Sequence, residues 1–193
     1  MNFLAHLFLS GDDTELLVGN FMGDFVRSRQ DAEYTLGIQA GLKLHRHIDH
    51  FTDTHPVVRE SVRLLQPLHR KYATVILDVF YDFLLTRNWA LYTHKDLDAF
   101  IVHTYRTLEG YIDVMPPVLQ QRLPHMITDD WLTRYGRWDG LSIAFSQMKH
   151  KASVPVHFDH VVENLQAQLE PLDERFQQFF PDLLSHVEEI RTQ

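Results

Sequence analysis

The fourteen residues from Tyr72 to Leu85 constrain this chain more than any others: eleven are apolar or aromatic, and the three exceptions, Thr74, Asp78 and Asp82, recur at intervals of four. That interval stays on one face of an α-helix, so the sequence predicts a helix hydrophobic all round except for one acidic stripe. Such a helix is buried. A buried carboxylate needs a cation beside it or must give up its charge, and two stacked carboxylates make a metal ion the most economical partner. Upstream, His45 and Asp49 repeat the spacing, in register with apolar Leu42, Ile48 and Phe51. The pairs His45/Asp49 and Asp78/Asp82 together predict a divalent-metal site. Two other readings compete: an ion pair from Asp78 and Asp82 to an arginine such as Arg46, and a surface pair for His45 and Asp49 worth only ~0.5 kcal/mol.

Composition narrows the chemistry of such a site. With no cysteine in 193 residues, disulfides, thiolate zinc sites and cysteine nucleophiles are excluded, leaving oxygen and nitrogen ligands that favour Mn, Mg, Fe or Zn. The length and the 45% hydrophobic content suit one domain, residues 1–193, with a substantial core. The opening run from Met1 to Leu9 is apolar, but it has no basic segment and is far too short to span a bilayer. It is expected in the core of a cytoplasmic enzyme. A net charge of -8 argues against a nucleic-acid partner, although the charge is uneven. From Gly41 to Lys71 six basic residues face three acids, whereas from Asp159 to Gln193 eight acids face two arginines. The basic region therefore coincides with the expected metal ligands.

Helical periodicity runs through the whole chain, with no convincing alternating segment, so the fold class is all-α in a single helical domain. Helices are expected at Leu16 to Arg27, at Thr35 to Phe51 with Gly37 and Gly41 allowing close approach, and from Pro56 to a break or kink at Pro67. Further helices are expected at Tyr72 to Trp89, at Asp96 to Tyr111, and, in shorter form, near 118–123, 131–135 and 142–148. A last one runs from Phe158 towards Phe180, bent at Pro171. Asp53 has the position of a cap for the helix that opens at Pro56, and His47 and His50 fall on a solvated face.

Four blocks resemble one known family. Met1-Asn2-Phe3-Leu4-Ala5-His6, Gly19-Asn20-Phe21-Met22-Gly23-Asp24-Phe25, the run from Leu44 to Pro56 (LHRHIDHFTDTHP) and Leu77-Asp78-Val79-Phe80-Tyr81-Asp82-Phe83-Leu84 look like the signature segments of acyl carrier protein phosphodiesterases, in the family's order. The resemblance implies a fold similar to HD-domain phosphohydrolases with rearranged helix order. It also implies Mn-assisted hydrolysis, with Mg or Fe as alternatives, of the phosphodiester joining 4′-phosphopantetheine to the serine of a holo-acyl carrier protein. In that setting Asp24 is the carboxylate expected to be indispensable, as metal ligand and in catalysis, and His6 gains a ligand or substrate role. The chain departs from the wider superfamily in having no adjacent His-Asp dipeptide.

Phosphodiester hydrolysis needs charge neutralisation, an in-line water and a stabilised leaving oxygen. Arg46, beside the expected ligands, is a candidate clamp for the non-bridging oxygens. His6 or an unligated Asp would orient water or protonate the leaving group. An acidic carrier calls for a basic docking surface, for which Arg27, Arg29, Arg59, Arg63, Arg70 and Lys71 are placed, with Phe25, Phe51 or Tyr81 as candidate walls for the pantetheine arm. Two other functions fit the same residues: an HD-like hydrolase of small nucleotides or phosphate esters, and a helical carrier-binding module without catalysis.

Overall fold

The computed structural model describes residues 1–192, which form twelve α-helices joined by short 3-10 turns, with no strand among them. The first five build the functional half: α1 (Phe3–Leu9), α2 (Thr14–Met22), α3 (Leu36–Thr54), α4 (Pro56–His69) and α5 (Ala73–Arg87). Then come α6 (Trp89–Tyr92), α7 (Leu97–Gly110), α8 (Pro117–Thr128), α9 (Trp131–Tyr135), α10 (Trp138–Lys151), α11 (Val161–Ala167) and α12 (Leu169–Arg191). The acidic-stripe helix is α5, and it is central, packing on α1, α4, α9, α10 and α12. Its Phe80 and Tyr81 are fully buried, and the Tyr81 ring lies 5.2 Å from Phe176 and 5.6 Å from Phe179 on α12. The aromatic payload of α12 thus closes the core over the N-terminal helices.

Local chemistry starts α3 and α7 where the sequence indicates, whereas α2 opens two residues before the expected Leu16 and ends at Met22 rather than Arg27. The Asp13, Thr35 and Asp96 side chains accept the Leu16, Ile38 and Ala99 backbone N–H groups at the openings of α2, α3 and α7. Pro56 opens α4, but the residue before it is His55 and no side chain caps this helix, so Asp53 is not the expected cap. Pro67 is followed by only two more residues of α4 before Arg70 turns to a positive φ of 51°.

The C-terminal segment differs from expectation. Instead of one helix bent at Pro171, α11 and α12 are separated at Gln168, and α12 continues to Arg191. Pro171 sits in the first turn of α12, where a missing N–H costs nothing, while its ring and absent donor prevent bonding back to Ala167. The break falls just ahead of it.

Glycine fixes the crossing of α2 and α3. A Cβ on Gly19 would lie 2.1 Å from the Ile38 carbonyl oxygen, and one on Gly41 would lie 2.3 Å from that of Leu16. The two backbones touch, which brings the end of α2 against the middle of α3. Among the described residues no helix is long and apolar enough to cross a membrane.

Candidate metal centre

Four elements converge where α1, the end of α2, α3 and α5 meet. The 3-10 turn Gly23–Phe25 that ends α2 carries Asp24, α1 carries His6, α3 carries His45 and Asp49, and α5 carries Asp78 and Asp82. The buried His6 and His45 rings stack 4.1 Å apart at 15°. Room for His45 exists only because residue 23 is glycine: a Cβ there would lie 2.0 Å from the imidazole Cγ.

One residue fixes both rings. Asn20, fully buried, donates its amide N–H groups to the His6 carbonyl oxygen at 2.8 Å and to Ser10 Oγ at 2.9 Å, so its Oδ1 is oriented as an acceptor. That oxygen lies 2.8 Å from His6 Nδ1, and the Asn20 backbone oxygen lies 2.8 Å from His45 Nδ1. Both Nδ1 atoms must donate, since both partners only accept. In the neutral rings, each Nε2 is then a bare lone pair.

These lone pairs face carboxylates. His6 Nε2 lies 3.2 Å from Asp49 Oδ1, and His45 Nε2 lies 3.1 Å from Asp49 Oδ2 and 3.3 Å from Asp24 Oδ1. His6 Nε2 is buried and makes no hydrogen bond. Acceptors aimed at acceptors repel unless a proton or a cation lies between them. Ligand atoms of His6, His45 and Asp49 all lie within 4.8 Å of one another, close enough to hold one metal ion, and Asp24 borders them. The Nδ1–H to carbonyl bonds are the outer-sphere arrangement that presents Nε2 to a metal.

The electrostatics follow from the same contacts. Burial pushes the His6 imidazolium down to about 4, outweighing its contact with Asp49. Burial also opposes charge on His45, but Asp24 and Asp49 overcome it and raise this imidazole to about 9. Asp49 is held well below the usual carboxylate range by His45 and His6 despite burial, and Asp24 is lowered chiefly by His45. Asp78 moves the other way, raised by burial. Its Oδ1 and Asp49 Oδ1 both lie 3.5 Å from the Met1 α-ammonium, which places it at the margin of the cluster.

The structure separates the two carboxylates of the acidic stripe. Asp82 is turned away from the imidazoles: its two oxygens accept the Leu4 and Ala5 backbone N–H groups at 2.9 and 3.1 Å. The opening turn of α1 has no side-chain cap of its own, so α5 supplies a carboxylate to donors that a helix start leaves unpaired. Asp82 therefore holds the helix that carries His6 and leaves the ligand set. Arg46 is also elsewhere, its guanidinium forked onto Asp31. Tyr81 is core, and Phe51 stacks on His186 at 4.5 Å. Phe25, beside Asp24, carries Arg122 over its ring at 5.6 Å.

Sequence reasoning missed Asn20. Its signal was a carboxamide as the one polar side chain inside the otherwise apolar run Leu16 to Met22.

A family model described as "Acyl carrier protein phosphodiesterase" matches residues 1–183. Proteins of that name from Photorhabdus laumondii and Yersinia enterocolitica are each 30% identical, over 97% of this chain and 96% of the relative, and over 98% of each, respectively. One from Klebsiella pneumoniae is 30% identical over 97% of this chain and 98% of its own length. No solved structure gives a significant match.

Proposed function

We propose, from the premise that the chain belongs to the acyl carrier protein phosphodiesterase family, that it hydrolyses the phosphodiester linking 4′-phosphopantetheine to a serine of a holo-acyl carrier protein, using a divalent cation, with manganese first in order, held by His6, His45, Asp49 and Asp24. The observation that carries the metal reading is the pair of Nε2 lone pairs fixed by Asn20 and aimed at Asp49 and Asp24. A cation there would neutralise the non-bridging phosphate oxygens and draw the pKa of water from ~16 towards ~7.

The protein's own groups complete the reaction. Asp49 and Asp24 place negative charge where a cation and an incoming water need an acceptor, while Asn20 holds the Nδ1 proton of each ring, so a cation that displaced the Nε2 proton of His45 would meet a lone pair on both imidazoles. Water oxygen bonds to phosphorus, the bond from phosphorus to the serine oxygen breaks, and that oxygen takes up a proton. Asp78, raised by burial and not turned onto an imidazole, is the proton carrier in this scheme. The products are a free carrier serine and 4′-phosphopantetheine.

Incubating metal-reconstituted protein with holo-carrier should remove the mass of the phosphopantetheine arm, and in labelled water the heavy oxygen should appear on the released phosphate. Label on the carrier serine would refute attack at phosphorus. An unchanged carrier beside a hydrolysed nucleotide would shift the reading to a small-ester hydrolase.

A further inference from the structure

A groove opens one helical turn from the metal centre. Asp53 stands one turn beyond Asp49 on α3, and Thr74 stands one turn before Asp78 on α5. Both line a depression of about 400 Å³ that has α4 as its other wall, with Val58 and Val62 as apolar lining beside exposed Arg59 and Arg63. A second depression, of about 620 Å³, shares Arg63 and Gln66 with the first and continues past Pro67 to Arg70 and Lys71. The two form one trough along α4.

Its charge is unbalanced. Four cations, Arg59, Arg63, Arg70 and Lys71, line the trough against the single carboxylate of Asp53. Among the described residues none of the four makes an ion pair, and Arg59 Nε donates to the Asp53 backbone oxygen at 3.2 Å instead. Glu60, the acid of α4, lies 3.9 Å from Arg175 of α12. Arg70 adopts φ 51°, ψ -126°, a region that side chains other than glycine rarely occupy, at the turn that brings Arg70 and Lys71 to the trough's end. On a chain of net charge -8, an acidic partner would be repelled from most other faces.

We infer that this trough receives an acidic amphipathic helix of the macromolecular substrate, its apolar side on Val58 and Val62 and its carboxylates on Arg59, Arg63, Arg70 and Lys71. A helix seated there delivers an adjoining phosphodiester to the centre one turn away. The inference takes its substrate from the phosphodiesterase reading, but the binding it asserts is measured separately. Arg27, on the loop after Asp24, lines neither depression and is not part of this surface.

The test is the double reversal Arg59→Glu/Arg63→Glu in the full chain, with metal content and melting midpoint as controls on folding. Fluorescence anisotropy of labelled apo-carrier at low salt should show binding at least ~10-fold weaker than wild type, with a flatter salt dependence. In turnover the loss should fall on carrier KM rather than kcat. A carrier with two acids beside its serine changed to Lys should regain affinity for the doubly reversed protein. Unchanged apo-carrier binding and salt dependence in a folded variant would overturn the trough as the docking surface, as would a wild type that does not bind the carrier. A wild type that binds the carrier but removes no phosphopantetheine would defeat the catalytic reading alone. If the reversal unfolds the protein, Arg63→Gln with Lys71→Gln gives the same readout at smaller amplitude.

Discussion

Two buried polar clusters flank α5, and they are built on opposite principles. Between α5 and α12, Asp173 accepts from Asn88 Nδ2 and from Arg87 Nε, while Asn88 Oδ1 accepts from Gln177. Each acceptor there meets a donor. On the side facing α1 and α3, Asp49 meets the Nε2 atoms of His6 and His45, whose only ring protons in the neutral form point the other way, into Asn20. The first cluster is closed and holds two helices together. The second is complete only when a proton or a cation enters it, which distinguishes a ligand set from a structural network.

The largest expected effects come from exchanging a residue in each cluster. Asp49→Asn and Asp24→Asn should each lower turnover by on the order of a thousandfold, ~4 kcal/mol of barrier, with helicity intact and metal content reduced. Asp173→Asn should do the reverse, leaving metal stoichiometry alone and lowering unfolding stability by roughly 2–4 kcal/mol, because it leaves Arg87 against a weaker partner. Full rate and metal content in both site variants would erase the contrast.

Next comes the tautomer lock. Asn20→Ala frees His6 Nδ1 while leaving every direct ligand in place, so metal affinity should fall ~10–100-fold, as outer-sphere substitutions generally do. Titration by competition with a chelator measures it. Affinity equal to wild type would mean that packing alone fixes the rings.

A smaller effect separates the two stripe carboxylates. Asp82→Asn should cost about 1–2 kcal/mol through the weakened cap of α1 and leave metal stoichiometry near wild type. Asp78→Asn, one turn away, should instead cut kcat with little change in melting. If the two variants behave alike, the division of roles within the stripe is wrong.

The smallest effect is in pH. His45 is raised to about 9 in the metal-free fold, against about 6.5 when unfolded, so its stabilising contribution is fully present below 6.5 and disappears as pH rises through 9. The melting midpoint of chelator-treated protein should therefore fall between pH 7 and pH 10. A saturating divalent cation replaces that proton, so the metal-loaded protein should show a flatter profile over the same range. Parallel profiles would argue against a cation at His45.

Much of this was legible in residue order. The i and i+4 spacing put His45 beside Asp49 because both lie on one helix, where geometry is set within a single turn. The helix openings at Thr35, Pro56 and Asp96 are local in the same way. The family blocks added His6 and Asp24, which spacing alone does not join to His45. What residue order misjudged involved choice between partners. Asp78 and Asp82 are equivalent on a helical wheel, yet α1 takes Asp82 as its cap, and Arg46 points to Asp31 rather than into the site.

By itself the sequence determined an all-helical chain, a buried acidic-stripe helix and a cysteine-free ligand pool, because each of these depends on period, composition or neighbours within a few residues. Only the tertiary structure decided which of the available side chains meet. The backbone contact of Gly19 and Gly41 carries Asn20 to His45, Gly23 clears space for the imidazole, and the uncapped start of α1 claims Asp82. The physical reason is that a buried polar atom is assigned by the nearest complementary atom in space, and that neighbour can lie anywhere along the chain.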